Sequence, residues 1–162
     1  MSDGEYQSFW RIAKSGRNYK ATDLSGDGGR YVGGRWHRQG TPVIYTASSI
    51  ALATLETLAH YDSSGLPFQR FLIELRIPAA VVAQATTLEP PDGWDTVPAG
   101  VPAADAGMRW LTAGTSLLCF VPSVIVRKER NLLINPLHAD VAQIVVEDHG
   151  VFEYDPRLLG KL

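Results

Sequence analysis

Apolar and polar positions alternate most clearly between Arg70 and Ile77, where Phe71, Ile73, Leu75 and Ile77 interleave with Arg70, Glu74 and Arg76. A period of two predicts a half-buried strand. Residues 41–47 (Thr-Pro-Val-Ile-Tyr-Thr-Ala) form a β-branched and aromatic run that reads as another strand. Ser48 or Ser49 then offers an N-cap, and residues 50–60 read as a helix. Wound at 100° per residue, that helix gathers Leu52, Leu55 and Ala59 on one face, with Glu56 at its edge. Pro90-Pro91 and the segment 98–102 bracket a loop, after which residues 103–113 predict a second helix. Short apolar strands are expected at 117–121 and 124–126, broken at Pro122, and again at 144–147. Arg11, between Phe9-Trp10 and Ile12, falls on a first strand. The tail after Gly150 is polar and is expected at the surface. Short strands outnumber helices without a regular βαβ order, which predicts an α+β fold on a mixed, mostly antiparallel sheet with flanking helices.

The remaining arithmetic narrows the class. The chain has 162 residues, enough for one domain with its own core, and 45% of them are hydrophobic against 20% charged. Disordered, collagen-like and coiled-coil chains are thereby excluded. A net charge of −2 provides no overall positive field, so direct nucleic-acid contact is not expected. The single cysteine, Cys119, lies in an apolar run and reads as a buried small hydrophobe in a reducing compartment. The N-terminus lacks a basic flank and an apolar stretch, and no eighteen apolar residues run together. A cytoplasmic location without membrane contact is the expectation.

Candidate chemistry begins in the stretch 25–36, which holds five glycines, Arg30, Arg35, Tyr31 and Trp36. Glycine mixed with arginine and tryptophan suggests backbone brought close to something, with large side chains aimed at it. Its spacing matches neither a Walker loop nor a dinucleotide fingerprint. An arginine fork suits bidentate contact with phosphate or carboxylate, the bland alternative being a solvated loop residue. A carboxylate such as Glu56 near an apolar face is costly unless paired or used; alternatively it reaches solvent or pairs with His60 at i+4. Tyr45 in mid-strand reads as core, with its hydroxyl bonded at the rim. Ser123 has no Gly-x-Ser-x-Gly frame, and its plain reading is a turn serine bonding nearby backbone. His37, His60, His138 and His149 show no metal-ligand spacing, so no metal is expected, and His138 reads as a loop cap.

The order of residues adds to this. Trp10-Arg11-Ile12, Gly33-Gly34-Arg35-Trp36-His37-Arg38-Gln39-Gly40, Pro42-Val43-Ile44-Tyr45-Thr46-Ala47, Leu52-Ala53-Thr54-Leu55-Glu56, Val121-Pro122-Ser123 and Asn131-Leu132-Leu133-Ile134-Asn135-Pro136-Leu137-His138 follow one another in a way that resembles the RES-domain family. The pieces run through a core of about residues 9–147 of a single domain. His37 stands where that family often has Asn. The Arg, Glu and Ser for which the family is named look like Arg35, Glu56 and Ser123. The resemblance implies a bacterial toxin of a toxin–antitoxin pair, with a fold similar to ADP-ribosyltransferases and an Xre-type helix-turn-helix antitoxin as neutralising partner. A dimer or larger complex with that antitoxin is implied too. Such toxins consume NAD⁺ as a substrate, by phosphorolysis or hydrolysis of the nicotinamide–ribose bond, with phosphate or water as acceptor and no further cofactor.

Within that expectation Glu56 stabilises an oxocarbenium-like ribose, related to that of glycoside hydrolysis. Arg35, with Arg11, supplies cationic forks for the diphosphate. Tyr45 and Ser123 suit the nicotinamide ring, and Asn135 orients substrate or braces a loop. Two rival functions remain open: transfer of ADP-ribose to a protein target, and a non-enzymatic antitoxin-binding module.

Overall fold

Seven strands join one sheet in the computed structural model, which describes residues 4–60 and 69–158. They are β1 (Tyr6–Lys14), β2 (Ile44–Ala47), β3 (Arg70–Pro78), β4 (Thr86–Thr87), β5 (Leu118–Pro122), β6 (Arg130–Ile134) and β7 (Val145–Val151). Their order is β4-β5-β6-β2-β1-β3-β7, antiparallel except for the short β4–β5 pair. Helices α1 (Asp27–Tyr31), α2 (Ile50–Ala59), α3 (Ala79–Val82) and α4 (Val101–Ala113) accompany the sheet. The α+β architecture expected from the pattern is therefore the one observed.

Register assigns side chains to faces, because residues directly opposite one another share a face and neighbours along a strand alternate. One face carries Phe9, Ile44, Ile73, Leu75, Ile77, Leu118, Leu132 and Ile134, all almost wholly buried. Here the predicted alternation of β3 is realised. On the other face one row runs Val121–Asn131–Ala47–Trp10–Glu74–Glu147 and the next runs Cys119–Leu133–Tyr45. Two helices divide this second face. Helix α2 packs Leu52 and Ala53 against Ile12, Ala47 and Tyr154. Helix α4 packs Ala103, Trp110 and Leu111 against Trp36, Cys119, Val121 and Leu133. Between them Tyr45, Ala47 and Asn131 form the floor.

Each helix is delimited as its termini dictate. Ser49 caps α2 by accepting from Leu52 N–H at 3.0 Å. Pro102 lies in the first turn of α4, and Gly114 closes that helix in the left-handed conformation (φ 62°). Cys119 is fully buried in β5, and burial pushes its thiol up to about 12, so it remains a neutral core residue. No helix among the described residues is long and apolar enough to cross a membrane.

Four expectations are corrected. Residues 124–126 are a turn rather than a strand, because Ser123 Oγ accepts from Ile125 N–H and Val126 N–H and curls the chain. The inner face of α2 is Leu52, Ala53, Glu56 and Thr57; Leu55 and Ala59 are exposed. Val101 and Pro102 begin α4 instead of ending a loop. The tail after Gly150 is not wholly superficial: Tyr154 is buried beside α2, its hydroxyl 2.7 Å from Thr57 Oγ1.

Candidate active site

Glu56 occupies the middle of α2 on the side turned toward β5 and β6, half-buried. Its Oε1 accepts twice, from Ser123 Oγ at 2.7 Å and from Asn131 Nδ2 at 2.7 Å. Both donors come from the far side of the sheet floor, more than sixty residues along the chain, so the carboxylate is oriented by tertiary structure rather than by its own helix. His60 is not its partner. Two donors on one oxygen fix the orientation of the carboxylate, and among the described residues Oε2 has no hydrogen-bond partner. Ser123 is wholly buried and serves twice, accepting the two turn N–H groups while it donates to Glu56. The turn-serine reading describes its geometry, and the bond to Glu56 is added to it.

Asn131 was not singled out from the sequence as a site residue. It is the second residue of β6, with Val121 opposite on one side and Ala47 on the other. Its signal was a polar amide at the head of an otherwise apolar run, Asn-Leu-Leu-Ile, where strand propensity disfavours Asn.

Tyr45 lies two residues along β2 from Ala47, roughly 7 Å by strand rise. Its hydroxyl accepts from Trp36 N–H at 3.2 Å and donates to His37 Nδ1 at 2.7 Å. The direction of the second bond follows from the other ring nitrogen, since His37 Nε2 faces the carbonyls of Gly29 (3.0 Å) and Val32 (3.1 Å) and must donate. Burial raises the Tyr45 phenol well above its usual range, against the smaller pull of Trp36 N–H and the Arg35 charge, which keeps it a donor. His37 is thereby a buried brace that ties the glycine-rich stretch to β2. Gly34 permits the same approach: a Cβ there would stand 2.6 Å from the Tyr45 hydroxyl.

Removing that hydroxyl has a calculable consequence. Tyr45→Phe strands the buried Trp36 N–H and His37 Nδ1, and about 1–3 kcal/mol of stability should be lost. A fall in melting temperature of several degrees by thermal denaturation is the expected result, and an unchanged midpoint would refute the bracing role.

Arg35 sits beside this brace. Its Nη1 donates to the carbonyls of Trp94 and Thr96, both at 2.8 Å. The Trp94 ring stacks on Trp36 with centroids 5.9 Å apart. A guanidinium has five donors, so three remain for a ligand after these two bonds. The loop Arg35 holds is joined to the Ser123 turn, because Arg127 Nη1 pairs with Asp95 at 2.5 Å and its guanidinium lies over Trp94. Arg127, helped by Arg35, holds the Asp95 carboxyl below its usual range. Glu56 and Arg35 are thus connected through the floor, by Asn131, Ala47, Tyr45 and Trp36, and around the rim, by Ser123, Arg127, Asp95 and Thr96. Both chains of contacts run over the same face of the sheet.

Other candidates lie elsewhere. Arg11 points to the opposite face, between Phe9 and Ala13, where burial lowers its pKa against the attraction of Asp23. Asn135 is four residues beyond Asn131 on β6, roughly 13 Å away by strand rise. Its Oδ1 accepts from Leu137 N–H, so it braces the loop. Arg30 makes an exposed pair with Asp27, and His138 caps a 3₁₀ turn by accepting from Asp140 N–H. Metal-ligating types converge in Glu74, Glu147 and His149 on β3 and β7, where Glu74 already accepts from Ser8 Oγ and pairs with His149 Nε2.

The family model described as the RES domain matches residues 8–155. The chain belongs to the RES-domain family. This RES domain is 46% identical over 157 residues to the "Prs ADP-ribosylating toxin" of a Sphingobium species, spanning 95% of this chain and 98% of the relative. It is 39% identical over 145 residues to "Toxin Res" of Yersinia enterocolitica (88% and 94%). It is 40% identical over 154 residues to "Toxin Res" of Pseudomonas putida (92% and 97%).

Proposed function

We propose that this RES domain is the toxin of a toxin–antitoxin pair and acts on NAD⁺ by breaking the nicotinamide–ribose bond. The observation that carries the reading is the carboxylate of Glu56, half-buried and held on one oxygen by two donors, on the same side of the sheet as an Arg35 guanidinium that uses only Nη1 among the described residues. The reaction asks for this pairing. As the C1′–N bond breaks, its electron pair moves to the cationic nicotinamide nitrogen, which leaves neutral and needs no strong acid. Positive charge develops on the ribose, where a fixed anion stabilises it more in the transition state than in the ground state. Glu56 Oε2 supplies that anion and accepts from a ribose hydroxyl. Arg35, with its remaining N–H donors, meets the diphosphate, and the half-buried Tyr45 and Trp94 offer aromatic surface to a flat ring. An oxygen nucleophile then bonds to C1′ and gives up its proton to solvent.

Phosphate or water is the acceptor in the first reading, with an Xre-type antitoxin as neutralising partner. A second reading has a specific support: the Sphingobium relative is named for ADP-ribosylation, and a protein nucleophile would then take the place of phosphate or water. Both are separated by incubating the purified chain with NAD⁺, with and without phosphate, and with labelled NAD⁺ and a cell lysate. Nicotinamide together with an ADP-ribose phosphate ester or ADP-ribose supports the first reading, and label on protein supports the second. NAD⁺ left intact in every arm would refute both.

A further inference from the structure

Asp95 lies between Trp94 and Thr96, the two residues whose carbonyls accept from Arg35 Nη1 at 2.8 Å. A guanidinium bonds a carboxylate more strongly than a carbonyl, because both partners are then charged. Yet among the described residues Arg35 makes no ion pair, and the Asp95 carboxylate accepts from Arg127 Nη1 at 2.5 Å instead. Both guanidinium charges reach this carboxyl: the bond from Arg127 holds it below its usual range, with a smaller contribution from Arg35. Arg127 is well placed to win it. Ser123 Oγ curls the chain by accepting from Ile125 N–H and Val126 N–H, and Glu129 N–H closes the turn on the Val126 carbonyl at 2.9 Å. Arg127 leaves this turn with its guanidinium 6.0 Å from the centre of the Trp94 ring, a second contact with the loop that carries Asp95.

We propose that Arg127 is a positioning residue of this site: by pairing with Asp95 it keeps that carboxylate off Arg35 and leaves the remaining Arg35 donors to the substrate diphosphate. The inference rests on the NAD⁺ reading above and adds a residue that acts on binding without touching the substrate. With Arg127 gone, Asp95 turns to the neighbouring cation, and an internal anion then competes with the diphosphate for the same planar fork. The side chains of the pair are 60% and 37% exposed, so the effect has the size of a surface ion pair and is weakened by salt.

The test measures kcat and KM for NAD⁺ at low salt in wild type, Arg127→Ala, Asp95→Asn and the double variant. Arg127→Ala should raise KM about three- to fivefold, the upper end for an exposed ion pair. Its kcat should stay within about twofold of wild type, because Glu56 and its two donors are untouched. Asp95→Asn should leave KM unchanged or lower it, since the competing anion is gone. In the Asp95→Asn background, Arg127→Ala should then have no further effect on KM, a non-additivity that a double-mutant cycle reads directly. An Arg127 that met the diphosphate itself would raise KM in both backgrounds. A pair that only tied the loop in place would raise KM in each single variant. Either result overturns the proposal, as does an Arg127→Ala protein whose KM does not rise. A wild-type chain that leaves NAD⁺ untouched overturns the functional reading itself, an outcome visible before any variant is made.

Discussion

Glu56→Gln is expected to slow NAD⁺ consumption by a hundred- to a thousandfold while leaving the protein folded. Glutamine keeps the length and shape of the side chain, and its carbonyl oxygen can still accept from Ser123 Oγ and Asn131 Nδ2. What it loses is charge. If the carboxylate acts by stabilising a ribose cation, removing its charge removes an interaction made chiefly in the transition state, typically worth about 3–4 kcal/mol. The decline should therefore appear in kcat, with KM little changed. Stability should drop by about 1 kcal/mol, since two charge-assisted hydrogen bonds become neutral ones, and the midpoint by about 2–4 °C. Ser123→Ala is a less clean probe, because it removes the donor to Glu56 and the acceptor for Ile125 N–H and Val126 N–H together. A Glu56→Gln protein that destroys NAD⁺ at the wild-type rate would refute the role assigned to the carboxylate.

Much of this arrangement was legible in the chain where local pattern and tertiary environment agree. The alternation in β3 survives because one face of that strand meets the core. Helix α2 announces itself through Ser49, and residues 103–113 read as helix, although Val101 and Pro102, which begin α4, read as loop. Glu56 stood out because a carboxylate near an apolar edge needs a reason. Other features escaped because their causes are non-local. Strand β6 carries a continuous apolar run, being central and covered on both faces, and offers no period to read. Residues 124–126 have strand composition, yet one hydroxyl decides their conformation. Helix α2 has apolar residues around much of its circumference, so Leu55 was assigned inward while the sheet selects Leu52 and Ala53. Arg11 shows the limit of a motif: its type suits a diphosphate, but strand parity sends it to the other side of the sheet from Glu56. The Glu56–Asn131 contact depends on register across β2, β6 and β5, and no spacing in the sequence encodes it.

Gly107→Ala should be the most damaging single-methyl change in the molecule, although alanine is the better helix former. Gly107 lies on the buried face of α4 with Ala103, Ala106, Trp110 and Leu111. A Cβ built there would overlap the Trp36 carbonyl oxygen and come within 2.7 Å of the Trp36 carbonyl carbon. The obstacle is backbone, so no rotamer change relieves it, and either the helix or the 34–37 hairpin must move. Overpacking of this kind costs about 1–3 kcal/mol and occasionally more, against roughly 1 kcal/mol gained from helix propensity. The upper end is expected here, with a fall in midpoint of about 6–12 °C. Gly28→Ala is the matched control: nothing lies within 4 Å of its Cβ position, and it sits in α1, so its stability should change by less than about 0.5 kcal/mol. The functional consequence follows from the same contact. Trp36 neighbours Arg35, and the hairpin sets the depth at which that guanidinium meets the carbonyls of Trp94 and Thr96. A displaced hairpin should therefore raise KM for NAD⁺ even below the midpoint, where the protein is still folded. A Gly107→Ala variant as stable as wild type would mean that α4 and the hairpin are not in contact at this point. One that loses stability yet keeps its KM would separate Arg35 from substrate binding.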